Sequence, residues 1–246
     1  MSQWPEGVDR IIHDSVDSTM TEAARVAASC TSPTWIMAHT QTAARGRRGR
    51  AWVTPTGNLN ATLVFKPKAT AAEAAQRSFL AANALYNALA VYVPADKLSL
   101  KWPNDVLLNG GKVAGILLEA ASNGADIDYL SIGIGVNLAV VPDGVQDAAF
   151  APTSLKAAGG WDVDAETFLT SLANAYADQE TILAAHGFSR IRADWLRHAA
   201  RLGEVITART TNAEITGTFD TIDDHGNLVL ITGAGPHYIP AADVYF

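Results

Sequence analysis

The chain has 246 residues, 48% of them hydrophobic, and its 18 basic and 25 acidic side chains give a formal net charge of −7. That length supports one substantial core and a small second one, and the acidic balance weighs against a general nucleic-acid surface, which needs a broad positive face. No window approaches the roughly 18 to 20 apolar residues of a membrane span, and the amino terminus MSQWPEGVDR lacks the basic-then-apolar pattern of an export signal. A single cysteine, Cys30, rules out an internal disulfide and cannot alone build a thiolate metal site, so the expected compartment is a reducing cytoplasm.

In chain order, residues 10–13 read as a strand. Thr19 and Glu22 then stand at capping-box spacing, and Met20, Ala23, Ala24, Ala27 and Ala28 recur at helical period, so a helix begins close to Ser18. Residues 35–38 form a short strand leading into TQTAARGRRGRAW at 40–52. Arg45, Arg47, Arg48 and Arg50 crowd together there with Gly46 and Gly49. Such a cluster of cations cannot share a packed face, and the glycines make a regular element costly, so the expectation is a mobile basic loop facing an anion.

After the turn residues TPTGN come a strand over 61–65 and an alanine-rich helix over 71–92. Strands over 98–101, 106–108, 113–119 and 129–134 are separated by turns too short for helical crossovers, which implies an antiparallel or mixed sheet backed by helices. Residues 139–151 are a weakly patterned loop. Residues 164–200 read as two helices, one carrying Phe168, Leu169, Leu172 and Tyr176, the other Ile191, Trp195 and Leu196. Beyond Leu202 the texture changes to short alternating strands over 204–209, 214–222, 227–231 and 237–239, a small all-β module with a boundary near Arg201.

Apart from the basic loop, the segments most open to chemistry lie in the strand-rich middle. In KWPND at 101–105, Pro103 stiffens a turn that carries Lys101, Asn104 and Asp105, while Trp102 is either a packed anchor or part of a site. In GGKVAGILLE at 110–119, Lys112 opens an apolar strand; it is either solvated or placed to hold a carboxylate or phosphate oxygen. This is not a Walker A loop, because Val113 stands where Ser or Thr is required. In IGIGVNL at 132–138 the glycines admit a ligand or a tightly packed neighbour, and Asn137 offers a donor and an acceptor.

The order of these pieces resembles a known family. Ser18 and Thr19, Gln41 with RGRRGR, KWPND, GKVAGILLE and GIGVNL look like the signatures of biotin protein ligases, also called holocarboxylase synthetases. The resemblance spans residues 10–246. It implies an α+β fold: a mixed, largely antiparallel sheet flanked by helices, like that of class II aminoacyl-tRNA synthetases, as a catalytic domain over 1–200, with a small SH3-like C-terminal β-barrel over 201–246. The implied reaction joins biotin and MgATP into biotinyl-5′-AMP, after which a lysine of a biotin carboxyl carrier domain attacks the mixed anhydride. Biotin and ATP are then substrates and Mg²⁺ the metal. By position, Ser18, Thr19, Gln41, Arg45, Gly46, Arg47, Lys112 and Gly115 correspond to biotin contacts. Arg47, Arg48, Trp52, Lys101, Asn104, Lys112 and Asn137 correspond to ATP contacts, Arg47, Lys101 and Lys112 to catalytic groups, and Asn104 and Asp105 to the metal side. Arg48 and Arg50 have a second reading as solvated charges.

The chain departs from the family pattern in three places: Ala44 where a glycine is common, Met20 where asparagine follows the Ser-Thr pair, and no aromatic before Thr153 to cap adenine, for which Phe150 and Trp161 are substitutes. Some members carry an N-terminal DNA-binding repressor domain; only a short segment precedes Arg10, so the expectation is a ligase without specific DNA binding, free of the membrane and compatible with a homodimer. A lipoate ligase or octanoyl transferase of the same superfamily is the nearest rival. From another class, a basic-loop nucleic-acid-binding module is a second.

Overall fold

Alternation along single strands sets the layers. In β3 (Leu59–Phe65), Leu59, Ala61 and Leu63 enter the main core, which leaves Asn60 and Thr62 for the opposite face. The computed structural model describes residues 3–123, 126–143 and 150–246; residues 144–149, within the loop expected over 139–151, lie outside the described residues.

Around β3, β1 (Asp9–Val16), β2 (Thr34–Gln41), β4 (Leu98–Lys101), β5 (Asp105–Leu108), β6 (Gly111–Asn123) and β7 (Asp126–Val136) complete a seven-stranded sheet in the order β1-β2-β3-β7-β6-β5-β4. β1 and β2 run parallel, connected through α1 (Thr19–Val26), and all other neighbours are antiparallel. The expected mixed, largely antiparallel α+β class is what forms.

One face is covered by α3 (Arg77–Leu89), which buries Phe79, Leu80, Leu85 and Leu89, and by α4 (Ala165–Arg197), which buries Phe168, Leu172, Ile191 and Trp195. The helix expected over 71–92 is divided at Gln76 into α2 (Ala71–Ala75) and α3, and α2 is opened by a capping box between Thr70 and Glu73. The two helices expected over 164–200 are the halves of α4 on either side of Gly187, where φ is 70° and ψ −179°. On the other face α1 packs Ala23 and Ala27 against Ile36 and Val64. It leaves the middle of that face open.

The capping box expected at Thr19 and Glu22 does not form. Ser18 is the N-cap without a side-chain bond, while the buried Thr19 hydroxyl accepts from Thr62 Oγ1 at 2.8 Å and lies 3.2 Å from Gln41 Oε1 as donor. A buried hydroxyl takes the partners the sheet supplies, and Glu22 pairs with Arg25 instead.

The C-terminal strands β8 (Val205–Arg209), β9 (Glu214–Ile222), β10 (Leu228–Thr232), β11 (Gly235–Ile239) and β12 (Asp243–Tyr245) form a five-stranded antiparallel sheet in the order β11-β10-β9-β8-β12. The expected barrel is not closed, because β11 and β12 are the two ends of the order and do not pair. β12 has only 3 residues, too few for an alternation pattern, and it is fixed by pairing with β8. Trp102 is a packed anchor, 3% exposed, whose Nε1 donates to Gly226 O in the β9–β10 turn at 3.1 Å. Among the described residues no helix is long and apolar enough to cross a membrane.

Gly187 has a conformation that only glycine adopts without strain, and a Cβ there would touch nothing within 4 Å. Gly187→Ala is therefore expected to lower unfolding stability by about 1–3 kcal/mol through backbone strain alone, measured by urea denaturation.

Candidate active site

Strand register builds the site. Lys101 pairs with Asp105, Asp105 with Gly115, Gly115 with Gly135, and Gly135 with Asn60, so one row of residues crosses from β4 to β3 on the face that α1 leaves open. In the neighbouring row Gly133 pairs with Thr62. A Cβ on Gly135 would lie 2.5 Å from Trp52 Nε1, and one on Gly133 would lie 2.7 Å from Met20 Sδ. The glycines therefore let Trp52 and Met20 lie against the sheet, and these side chains wall a cleft of about 210 Å³.

The cleft has a neutral end and a cationic end. At the neutral end Gln41 Oε1 accepts from Thr19 N at 2.8 Å, and Ser18 and Gly46 complete the lining. At the cationic end Asp105 sits between two lysines, with Lys112 Nζ 2.7 Å from Oδ1 and Lys101 Nζ 3.5 Å from Oδ2. Lys101 is buried, and burial pulls its pKa below the ordinary lysine value while the Asp105 carboxylate opposes the fall. The Lys112 ammonium also lies 5.4 Å from the centre of the Trp52 ring, at cation–π range.

The basic loop is folded into a turn. Gly46 N donates to Arg50 O at 2.8 Å and Trp52 N to Ala44 O at 3.1 Å, while residues Arg47–Gly49 make a 3₁₀ turn with Arg48 at φ 56°. Arg47 points inward and donates to Asn104 Oδ1 at 3.1 Å, and its burial pushes its pKa below the usual arginine value. Arg45 lines the cleft, with its guanidinium held by both oxygens of Glu119, at 3.2 and 2.8 Å, and by Thr21. Arg48 and Arg50 keep their side chains exposed to solvent, in keeping with their solvated reading, and both also reach Asp243 of β12, at 3.2 and 2.7 Å. Burial raises the Asp243 pKa, but the Arg50 hydrogen bond and the charges of Arg50, Arg48 and Arg47 outweigh it, and the net shift is downward.

Every residue expected in the site lines this cleft except Arg48, which the turn directs to Asp243. Asn137 lines it while its amide donates to Thr153 O at 2.9 Å and so holds the segment after β7. Phe150 lines it, with Lys101 Nζ 4.9 Å from its ring centre, whereas Trp161 is 73% exposed and outside it. Asn104 and Asp105 fit a magnesium ion poorly as placed. Asn104 Oδ1 accepts from Arg47 and its amide donates to Ile116 O, and Asp105 already faces two ammonium groups. Asp243 and Asn60 line the cleft and stand in no motif, and Glu119, which ends GGKVAGILLE, lies outside the lining and holds Arg45. Of the three, Asn60 left a signal, an amide within an otherwise strand-forming run.

Residues 12–137 match the Biotin/lipoate A/B protein ligase family, and residues 202–246 match the Biotin protein ligase C terminal domain. The chain belongs to the biotin/lipoate A/B protein ligase family. It is 51% identical over 233 residues to a biotin–[acetyl-CoA-carboxylase] ligase of Paracoccus denitrificans, covering 94% of this chain and 97% of that one. The bifunctional ligase/repressor BirA of Bacillus subtilis is 32% identical over 246 residues, covering 97% of this chain and 74% of the relative. The biotin protein ligase from Aquifex aeolicus, solved in complex with biotin and ATP, has a TM-score of 0.79 at 25% identity, with 96% and 97% of the two chains covered.

A depressed Asp243 pKa means that its ion pairs are complete above the ordinary carboxylate value and are lost as pH falls through the folded value. Asp243→Asn should therefore cost about 0.5–1 kcal/mol at neutral pH, a size set by the exposure of both arginines. The difference in melting temperature from wild type should begin to shrink as pH falls below about 4 and vanish only below the lowered folded pKa of Asp243.

Proposed function

We infer that the protein activates biotin with ATP to biotinyl-5′-AMP and transfers the biotinyl group to a lysine of a biotin carboxyl carrier domain of a carboxylase. The observation that carries this reading is a single cleft with neutral hydrogen-bonding groups at one end and Lys101, Lys112 and Arg47 at the other, in a chain 51% identical to a ligase of that name. A bicyclic urea with a carboxylate tail has the same polarity. Its head suits Ser18, Thr19 and Gln41, and its carboxylate suits Lys112.

In the first step a carboxylate oxygen attacks the α-phosphorus, a bond to phosphorus forms, and the bond to pyrophosphate breaks. Negative charge builds on the phosphoryl oxygens and the leaving group, and Arg47, Lys101 and Lys112 are placed to offset it. Magnesium would have to enter with the nucleotide, where it would offset phosphate charge, because Asn104 and Asp105 are already engaged. The turn over Arg47–Gly49 and the Trp52 indole shield the anhydride from water. In the second step the neutral amine of the acceptor lysine attacks the acyl carbon, AMP leaves, and the amine's excess proton passes to solvent. Phe150 is the aromatic group for the adenine. Residues 1–200 supply most of the cleft, residues 201–246 add Asp243 and Tyr245 to its lining and tether the loop through Asp243, and the single Cys30 suits a reducing cytoplasm.

The rivals fare less well. A lipoyl dithiolane has no hydrogen-bonding head to match Thr19 and Gln41. As for nucleic acid, Arg45, Arg48 and Arg50 are each engaged by a carboxylate of the protein itself.

ATP–pyrophosphate exchange should depend on biotin and not on lipoate; exchange with lipoate alone would select the rival. Lys112→Ala should reduce the biotin-dependent exchange rate by about a hundredfold with little change in melting temperature. Arg47→Gly should release the adenylate faster, read as biotin label on bystander lysines of an added unrelated protein.

A further inference from the structure

Asn60 is a buried amide in the cleft that finds no partner among the described residues. It is 2% exposed, it lines the cleft, and neither Oδ1 nor Nδ2 of its amide makes a hydrogen bond within the described residues. Buried amides are almost always satisfied, so a native one left open on both sides of its carboxamide, in the wall of a binding cleft, points to a ligand. Its neighbour on the same face behaves differently. Thr62 gives its hydroxyl to Thr19, which passes a bond to Gln41, and that chain is complete within the protein.

Position along the register tells which part of a ligand Asn60 meets. It stands at the β3 end of the row whose other end holds Asp105 and Lys101, and two strand spacings, roughly 10 Å, separate it from Gly115, where the Lys112 ammonium lies. An anionic carboxylate or phosphate is drawn to the lysine end. A neutral amide that offers a donor and an acceptor side by side suits a neutral group of the same kind. We propose that Asn60 is a specificity-determining contact for the ureido ring, its Oδ1 accepting from a ureido N–H beside Thr19 and Gln41. The proposal rests on biotin as the substrate.

The test compares wild type with Asn60→Leu, which keeps the volume and removes the amide. The KM for biotin in pyrophosphate exchange should rise by about tenfold, as expected for one lost neutral hydrogen bond, while the KM for ATP stays within about twofold. The melting temperature of the unliganded protein should hold or rise, because an unsatisfied buried amide is removed. An unchanged KM for biotin, or a fall in melting temperature with both KM values moving together, would overturn the proposal and make Asn60 a structural residue. If the Leu variant does not fold, Asn60→Ser is read by the same criteria. A wild type that shows no biotin-dependent exchange defeats the functional reading itself; exchange by wild type with an unaltered Leu variant defeats only the role of Asn60.

Discussion

The cationic end of the cleft depends on one carboxylate. Asp105 lies between Lys101 and Lys112, which come from different strands, and Lys101 is its register partner across β4 and β5. Burial is the main cause that lowers the Lys101 pKa, the Asp105 carboxylate opposes it, and the neighbouring Lys112 ammonium adds a smaller downward push. Asp105 stands within ion-pair range of both ammonium groups and so offsets their mutual repulsion before any anion arrives. The arrangement resembles a spring held by a removable pin, since an incoming carboxylate or phosphate competes with Asp105 for the same ammonium protons. Positive charge is thereby stored in place and needs no rearrangement of the backbone when charge develops in the reaction.

Around that core the two sheets cooperate. The first supplies the floor, where Gly133 and Gly135 let Met20 and Trp52 settle against the backbone. The second contributes Asp243, which grips Arg48 and Arg50 from outside, and receives the Trp102 indole at Gly226. Of the loop arginines, Arg47 reaches Asn104 at the lysine end of the cleft, Arg45 is held by Glu119 and Thr21, and Arg48 and Arg50 bind Asp243. Much of the positive charge of the RGRRGR segment is therefore scaffolding.

How much of this was legible in the sequence varied with the range of the interactions. Strands 98–101 through 129–134 and the mixed sheet were readable because apolar runs and short turns are local signals. The presence of two helical halves within 164–200 and the residues of KWPND and GKVAGILLE also came through, as did their convergence in one site once their order was considered together, while the break at Gly187 was not placed. What escaped was set by distant partners. Thr19 left its capping role because Thr62 and Gln41 lie beside it in space, the pairing of Arg45 with Glu119 spans two motifs, and Asp243 sits on a strand too short to pattern. The closed barrel failed for a related reason, since alternation reports strands but not whether the first and last of a sheet meet. Asn60 was visible as a polar residue in a strand; that it has no partner could be learned only from the packing.

The central claim is that this cleft makes and keeps an acyl adenylate. Its most direct test is to incubate the protein with biotin and MgATP, remove free small molecules by rapid desalting, and identify what remains bound by mass spectrometry. The account predicts biotinyl-5′-AMP retained at close to one per chain, and its disappearance when a biotin carboxyl carrier domain is added. Recovery of unreacted biotin and ATP, or of nothing, from protein competent to bind both would contradict it.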